Sequence, residues 1–97
     1  MTLSSTERLV TVGMCVHNGQ EFVAEAVCSV LNQTHERLEL LVFDDGSRDD
    51  SVAEVLRVSD DRVRLVRSEV NLGLAGGRER LRREATGSHI AWVDCDD

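Results

Sequence analysis

The chain has 97 residues, 41% of them hydrophobic, and a formal net charge of −7. This length allows one small domain, and the acidic balance argues against nucleic-acid binding, which needs a basic surface. No apolar run approaches the roughly 20 residues of a membrane span, and the N-terminus does not resemble a signal peptide. The three cysteines show no C-x-x-C spacing. We therefore expect a cytoplasmic protein with reduced thiols, and peripheral membrane association stays open.

Apolar runs alternate with segments of helical spacing along the chain. The predicted elements are, in order, a strand over Arg8–Val16, a helix over Glu21–Asn32, a strand over Leu38–Phe43, a helix over Asp49–Val58, a strand over Arg62–Arg67, a helix over Leu74–Thr86 and a strand over His89–Val93. Phe22 and Leu56 are expected on the apolar faces of the first two helices. Charged and apolar residues alternate in the third strand, which predicts an edge position. The order β-α-β-α-β-α-β predicts an α/β fold in which helices flank a mostly parallel four-stranded sheet.

Polar clusters follow the predicted strands, and ligands of such sheets bind at the carboxyl ends of the strands. The clusters are His17-Asn18, Asp44-Asp45, Asn71 and Asp94-x-Asp96. Taken singly, the first two are better interpreted as turns. The arginines of the third helix, apart from Arg78, are better interpreted as a solvated face.

The Asp94-x-Asp96 spacing places two carboxylates on one side of a strand end. Such a pair suits a hard divalent cation, Mg²⁺ or Mn²⁺, shared with the phosphates of a substrate. On spacing alone, a polar strand exit in solvent is the better interpretation, because short acidic motifs occur often by chance.

Together, five collinear blocks resemble family 2 glycosyltransferases and cover residues 8–97. They are Val10–Gly19, similar to V-S-V-I-I-P-V-Y-N-G; Ala26–Thr34, ending like S-x-L-N-Q-T; Leu38–Ser51, similar to E-I-I-V-V-D-D-G-S-T-D-x-S; Asn71–Ala75 with Arg78, similar to N-x-G-L-x-x-A-R; and Gly87–Asp97, similar to G-x-Y-I-x-x-L-D-x-D-D. Cys15 and His17 stand where the family has Pro and Tyr. The resemblance implies a Rossmann-like GT-A half-domain.

The resemblance also implies the roles of a nucleotide-sugar site. Asp45 would bind the nucleobase with Asp44 beside it, His17 would flank the base, Asp94 would contact the ribose or the metal shell, Asp96 would bind the metal, and Arg78 would order the site. Cys15, Asn18, Asn71 and Gly73 complete the implied site.

The implied reaction is inverting transfer of a sugar from a UDP, GDP or dTDP donor to an acceptor hydroxyl. Mg²⁺ or Mn²⁺ would stabilise the leaving diphosphate, and a carboxylate would act as the base. In the family, the base and the acceptor site follow the D-x-D motif. We therefore expect residues 1–97 to be one incomplete domain that binds a donor without turnover.

Two other classes stay open at this stage. One is a non-catalytic nucleotide-binding or remnant module. The other is a phosphoacceptor receiver domain, whose acidic pair would follow the first strand, whereas Asp44-Asp45 follows the second. The fourth strand is expected to be central in a full domain, so one side of it would be unpaired here, and an open sheet edge predicts dimerisation or poor solubility.

Overall fold

The computed structural model describes residues 9–33, 37–87 and 89–95. The elements are β1 (Val10–Val16), α1 (Val23–Leu31), β2 (Leu38–Asp45), α2 (Ser51–Arg57), β3 (Val63–Ser68), α3 (Gly73–Glu84) and β4 (Ile90–Asp94). The predicted alternation of strands and helices is therefore confirmed. In the part of the chain that the structure describes, no helix has the length and apolar character that crossing a membrane requires.

The four strands form one sheet in the order β3-β2-β1-β4, and every neighbouring pair is parallel. β1 and β2 are central, which explains why their sequences are almost continuously apolar. β3 lies at one edge, as its alternating sequence predicts. The chain runs outward from β1 to β2 and β3 and then crosses back to β4, so the sheet order reverses between β1 and β4. Ligands of open α/β sheets bind at such a switch point.

Helices cover both faces of the sheet. α1 and α2 pack on one face through Val23, Val27, Val30 and Val55, and α3 packs on the other through Leu81. Successive residues of a strand point to opposite faces, so each central strand contributes to both layers of the core.

Gly77 determines how closely α3 approaches the sheet. A Cβ atom at this position would lie 2.9 Å from Cδ2 of Phe43 and 3.1 Å from Sγ of Cys15. Glycine disfavours a helix interior, but close packing of α3 on the sheet requires it at this position.

Three sequence predictions need correction. β2 continues two residues beyond Phe43, because Asp44 pairs with Val16 and Arg67 and Asp45 pairs with Ser68. Strand pairing, on both sides at Asp44 and on one side at Asp45, outweighs the turn preference of Asp-Asp-Gly. Phe22 and Leu56, expected on apolar helix faces, are 47% and 67% exposed.

A buried carboxylate fastens the amino-terminal end of the sheet, far from the predicted site. Glu39 accepts hydrogen bonds from Oγ1 of Thr11 at 2.6 Å and from the backbone N–H and hydroxyl of Thr86 at 2.6 and 2.8 Å. Burial alone would raise the pKa of Glu39, but these hydrogen bonds and one from Gly87 hold it below its ordinary value. Glu39 thereby ties the end of α3 to β1 and β2.

Candidate functional site

A cleft of about 400 Å³ opens at the carboxyl ends of β1 and β4, where the sheet order reverses. Five of the predicted site residues line it: Cys15, His17, Asn18, Asp45 and Asp94. The side chains of Phe22 and Leu74 also line the cleft and leave apolar surface exposed there. The topology thus brings together predicted site residues from three separate sequence blocks.

Cys15 lies between the two acidic residues of the cleft. Its register partners are Phe43 on β2 and Asp94 on β4, and Asp45 follows Phe43 by two residues. The three side chains Asp45, Cys15 and Asp94 therefore belong to the face of the sheet that α3 covers. Burial raises the pKa of the Cys15 thiol, the Arg78 guanidinium opposes that rise, and Asp45 and Asp94 add to it. The raised pKa disfavours the thiolate, which is the nucleophilic form, and the Cys15 thiol forms part of the cleft wall.

Asp44 belongs to the opposite face and does not line the cleft. Its side chain is buried, and its Oδ2 accepts a hydrogen bond from the backbone N–H of Ser47 at 3.3 Å. Its Oδ1 is buried and has no hydrogen-bond partner within the described residues. Adjacent strand residues point to opposite sides, so Asp44 is the neighbour of Asp45 in sequence but does not lie beside it in the cleft.

Asp45 joins the end of β2 to the start of α3. Its Oδ1 accepts the backbone N–H of Leu72 at 2.6 Å, and its Oδ2 accepts that of Gly73 at 2.9 Å. Asn71 Oδ1 also accepts the Gly73 N–H at 2.9 Å, and Gly73 has a φ of +78°. A carboxylate is favourable at the start of a helix, where backbone N–H groups lack partners. Asn71 and Gly73 thus hold the loop that Asp45 organises.

Asn18 connects the loops that follow β1 and β2. Its backbone N–H donates to Ser47 Oγ at 2.8 Å, and its Oδ1 accepts the N–H of Arg48 at 2.8 Å. Its φ is 52°, a left-handed conformation that asparagine tolerates better than most residues. The next residue, Gly19, donates its N–H to Ser51 Oγ at 2.8 Å. Asn18 therefore shapes the cleft by bracing its loops.

Asp49 and Ser51 complete this brace and were missed by sequence reasoning. Asp49 Oδ1 accepts the backbone N–H of Ser51 at 2.9 Å, and its Oδ2 accepts the N–H of Gln20 at 3.2 Å. Burial would raise the pKa of Asp49, but the hydrogen bonds from Ser51 and Gln20 lower it overall. The D-x-S spacing was the available signal, since an Asp side chain that accepts the N–H two residues later is typical of an Asx turn.

His17 is oriented by a backbone carbonyl. Its Nδ1 lies 2.7 Å from the carbonyl oxygen of Asp45, and a carbonyl can only accept, so Nδ1 carries the hydrogen. In the neutral ring, Nε2 is then an acceptor, and Nδ2 of Asn18 lies 3.4 Å from it. The imidazole is thereby fixed in the wall of the cleft, beside Asp45.

Arg78 lies on α3 and is not among the residues that line the cleft. Its Cζ is 5.1 Å from the centroid of the Trp92 ring. Within the described residues it forms no ion pair, so the carboxylates of the cleft do not neutralise it.

Asp94 is the carboxylate that fits a metal site. Its residue is exposed at the end of β4, and within the described ranges no hydrogen bond or ion pair engages its side chain. The second predicted ligand, Asp96, lies outside the described residues. Among the described residues, no three acidic, histidine or cysteine side chains form a group that could hold a metal alone. Mg²⁺ and Mn²⁺ sites shared with a diphosphate need only one or two protein carboxylates, which Asp94 satisfies.

Comparison with known proteins places the chain in a family. Residues 11–97 match the family described as Glycosyl transferase family 2. The chain belongs to this family. This membership excludes the receiver-domain alternative. It also confirms the resemblance that the five sequence blocks indicate.

Among curated relatives, the UDP-Glc:alpha-D-GlcNAc-diphosphoundecaprenol beta-1,3-glucosyltransferase WfgD of Escherichia coli is 39% identical over 89 residues, covering 92% of this chain and 35% of the relative. Glycosyltransferase GlyG of Streptococcus pneumoniae is 32% identical over 91 residues, covering 92% of this chain and 30% of the relative. The chain thus spans about a third of the length of these two relatives.

Solved structures confirm the GT-A-type fold. The mannosyltransferase PcManGT of Pyrobaculum calidifontis, in complex with GDP-Man and Mn²⁺, superposes with a TM-score of 0.84 at 27% identity, covering 90% of this chain and 27% of that chain. S. aureus TarS 1-349 gives a TM-score of 0.84 at 24% identity, covering 91% of this chain and 27% of that chain, and supports the fold alone.

Proposed function

We propose that this chain is the donor-binding part of an inverting glycosyltransferase that moves a sugar from a nucleotide diphosphate to an acceptor hydroxyl. The observation that carries the proposal is the cleft of about 400 Å³, where the topology gathers His17, Asp45 and the exposed Asp94. Small-molecule sites commonly have volumes of about 300–1,000 Å³, so the cleft is large enough for part of a nucleotide sugar.

Two relatives support this class of donor. The name of WfgD specifies UDP-Glc, and PcManGT is described in complex with GDP-Man and Mn²⁺. A nucleotide-diphosphate sugar of the UDP, GDP or dTDP type is therefore the proposed ligand, with Mg²⁺ or Mn²⁺ as its metal. When bound, the metal would supply Lewis-acid stabilisation of the departing diphosphate.

The two acidic residues suit opposite ends of the donor. Asp45 uses each carboxylate oxygen once, for the N–H groups of Leu72 and Gly73. Each oxygen has a second lone pair, so Asp45 can still accept a hydrogen bond from a nucleobase or a ribose hydroxyl. His17 beside it offers a ring that would flank the base, and the exposed Asp94 would bind the metal that the diphosphate shares.

The proposal is tested by nucleotide binding with and without Mn²⁺, using calorimetry and thermal denaturation of the chain. We expect one of UDP, GDP or dTDP to stabilise the protein only when Mn²⁺ is present. Asp94→Asn is expected to weaken this metal-dependent binding by about tenfold, equivalent to about 1.4 kcal/mol. The same loss is expected from Asp96→Asn.

Asp61→Asn is the matched control. Asp61 is an exposed acidic residue in the turn before β3, and its substitution removes the same charge as Asp94→Asn. The proposal fails if none of the three nucleotides binds in a Mn²⁺-dependent manner. It also fails if Asp94→Asn and Asp61→Asn bind equally well.

Self-association and a cytoplasmic location stay predictions. We infer self-association from the outer edge of β4, which has no neighbouring strand within the described residues. Ala91→Lys would place a charge on an exposed residue of that edge. A concentration-dependent mass in sedimentation equilibrium that Ala91→Lys reduces would support the inference, and a monodisperse wild-type monomer would contradict it.

A further inference from the structure

The exit of β4 places an exposed residue next to a buried one. Asp94, the last residue of β4, is exposed, whereas Cys95 directly after it is only 7% exposed. Cys95 belongs to the core cluster beneath α1 and α2, and Val93 packs against the same cluster. Because successive residues of an extended chain point to opposite faces, Asp94 points away from this cluster. The residue between the two predicted metal ligands is therefore a core residue.

Strand pairing fixes β4 only as far as Asp94. The ladder between β1 and β4 ends with the register pair of Cys15 and Asp94. The other edge of β4 has no neighbouring strand within the described residues. A carboxylate at the last paired position can be displaced by movement of the segment that follows it. The contacts that Cys95 makes therefore bear directly on the position of Asp94.

Cys95 packs on Gly19, in the loop that follows β1. A Cβ atom at Gly19 would lie 3.3 Å from Sγ of Cys95 and 3.3 Å from Cγ1 of Val16. Both distances are shorter than ordinary van der Waals contact, so a methyl group there would press on the sulfur. Since a buried cysteine behaves as a small hydrophobic residue, this contact is apolar packing. The missing side chain at Gly19 leaves the space that the thiol fills.

Gly19 is itself fixed at the start of α1. Its carbonyl oxygen accepts the backbone N–H groups of Phe22 at 3.0 Å and of Val23 at 2.9 Å. Its own N–H donates to Oγ of Ser51, the first residue of α2, at 2.8 Å. Cys95 thus packs on a point of the chain that the starts of two helices hold in place.

Two cavities meet at the exit of β4. The cleft of about 400 Å³ and a smaller cavity of about 210 Å³ beside α1 share three lining residues, Phe22, Asp94 and Cys95. The space around this exit is therefore not closely filled. A shorter side chain at position 95 would enlarge that space and leave the exit of β4 room to move.

We propose that Cys95 is a positioning residue for Asp94: its packing on Gly19 holds the exit of β4 so that the carboxylate stays at the cleft, where the metal of the nucleotide donor would bind. This inference rests on the proposed function and extends it to a side chain that acts through its neighbour. Residues that orient a metal ligand commonly affect metal affinity without coordinating the ion. The buried thiol is expected to act in this way.

The test compares Cys95→Ala with the wild type in the full chain. The ligands are whichever of UDP, GDP or dTDP binds the wild type most tightly with Mn²⁺, and the corresponding nucleoside, which has no diphosphate to share the metal. Calorimetry measures the nucleotide, and ligand-observed NMR measures the more weakly bound nucleoside. We expect Cys95→Ala to weaken Mn²⁺-dependent nucleotide binding by about tenfold and to leave nucleoside binding within about twofold of the wild type.

Two variants separate positioning from a general loss of stability. Cys28→Ala makes the same chemical change at an exposed residue of α1 and should bind the nucleotide as the wild type does. Val55→Ala truncates a buried side chain of α2 that does not line the cleft. It should lower the midpoint of urea denaturation while leaving Mn²⁺-dependent binding within about twofold of the wild type.

A double-mutant cycle tests the contact without any ligand. Gly19→Ala places a methyl group against the sulfur of Cys95 and should lower the midpoint of urea denaturation. In Gly19→Ala/Cys95→Ala the sulfur is gone, and the methyl group occupies part of its space. The double variant should therefore lose less stability than the sum of the two single variants.

Three outcomes would overturn the inference alone. One is Mn²⁺-dependent binding at the wild-type level in a folded Cys95→Ala protein. Another is an equal loss of nucleotide and nucleoside binding, which would indicate a structural role only. The third is additive losses in the cycle, since the two residues would then not be in contact. If the wild type binds none of the three nucleotides, the proposed function fails, and the inference fails with it.

Discussion

The carboxylate of Asp45 accepts the backbone N–H of Gly73 at 2.9 Å, which links the end of β2 to the first turn of α3. A second hydrogen bond, from Leu72 at 2.6 Å, makes the contact bidentate. The residue that the family resemblance assigns to the nucleobase is therefore also a structural anchor. Its position in the cleft is set before any ligand arrives.

Asp45→Asn is expected to destabilise the fold. The amide replaces one acceptor oxygen with an NH₂ group that would face a backbone N–H donor, and it removes the charge from the other hydrogen bond. We expect a loss of about 1.5–3 kcal/mol in the free energy of unfolding, measured by urea denaturation. A loss below the error of the measurement would show that the two hydrogen bonds contribute little.

Asp44→Asn should behave differently although the residue is adjacent. Within the described residues, Asp44 accepts one hydrogen bond, at 3.3 Å, whereas Asp45 accepts two shorter ones, so the amide disturbs fewer contacts at position 44. We expect this variant to be at least about 1 kcal/mol more stable than Asp45→Asn in the same urea titration. Equal losses in the two variants would contradict the difference in hydrogen bonding between the two carboxylates.

At Asn18, two substitutions separate side-chain hydrogen bonding from backbone strain. Both Ala and Gly remove the Oδ1 that accepts the Arg48 N–H, but only Gly tolerates a φ of 52° without strain. We expect Asn18→Ala to be less stable than Asn18→Gly by about 1 kcal/mol. Chemical denaturation of both variants measures the difference, and a more stable alanine variant would contradict the left-handed conformation.

Gly77→Ala is expected to be destabilising despite the better helix propensity of alanine. The added Cβ would lie 2.9 Å from a fully buried Phe43 ring, and overpacking of this kind costs about 1–3 kcal/mol. The propensity gain of about 1 kcal/mol offsets only part of this cost. Arg83→Ala, on the exposed side of the same helix, is the control for thermal denaturation. A Gly77→Ala protein that melts above the wild type would contradict the close packing of α3.

The pH dependence of stability should contain a contribution from Glu39. Its folded-state pKa is held below the model-compound value of 4.5, so its carboxylate stabilises the fold above that pH. This contribution is lost as the pH falls below 4.5 toward the folded-state pKa. Glu39→Gln should be less stable near neutral pH, and its stability should fall less steeply in acid.

Part of the acid slope should survive in Glu39→Gln. Asp49 also has a lowered pKa, and the hydrogen bonds from Arg62 lower the pKa of Asp60 to about 2. Urea denaturation at several pH values between about 3 and 7 measures the slopes of both proteins. Identical slopes would show that Glu39 is not stabilised by its hydrogen bonds.

Local patterns in the sequence predict the order of the elements and the parallel sheet. Continuous apolar runs predict β1 and β2 as buried strands, and the alternation around Val63 predicts β3 as an edge. Burial on two faces leaves a different sequence pattern from burial on one face, so these features can be inferred from the order of residues. The family was likewise evident, because it rests on several blocks in the correct order.

The roles of single residues within those blocks depended on tertiary contacts. Asp44 and Asp45 are adjacent residues of the same type. Strand pairing extends β2 through both, so their side chains point to opposite faces of the sheet. The partners of Glu39 are Thr11 and Thr86, which are 28 and 47 residues away along the chain.

By itself, the sequence determined that this chain is an α/β member of its family with polar residues at the strand ends. Only the tertiary structure decided three further points. Asp45 and Asn18 form hydrogen bonds that connect loops, Gly77 allows α3 to pack closely on the sheet, and the Trp92 ring contacts the guanidinium of Arg78. The physical reason is that periodicity reports how one segment is buried. A hydrogen bond or a ring contact depends on which distant segment lies opposite, and that is set when the sheet and its helices pack.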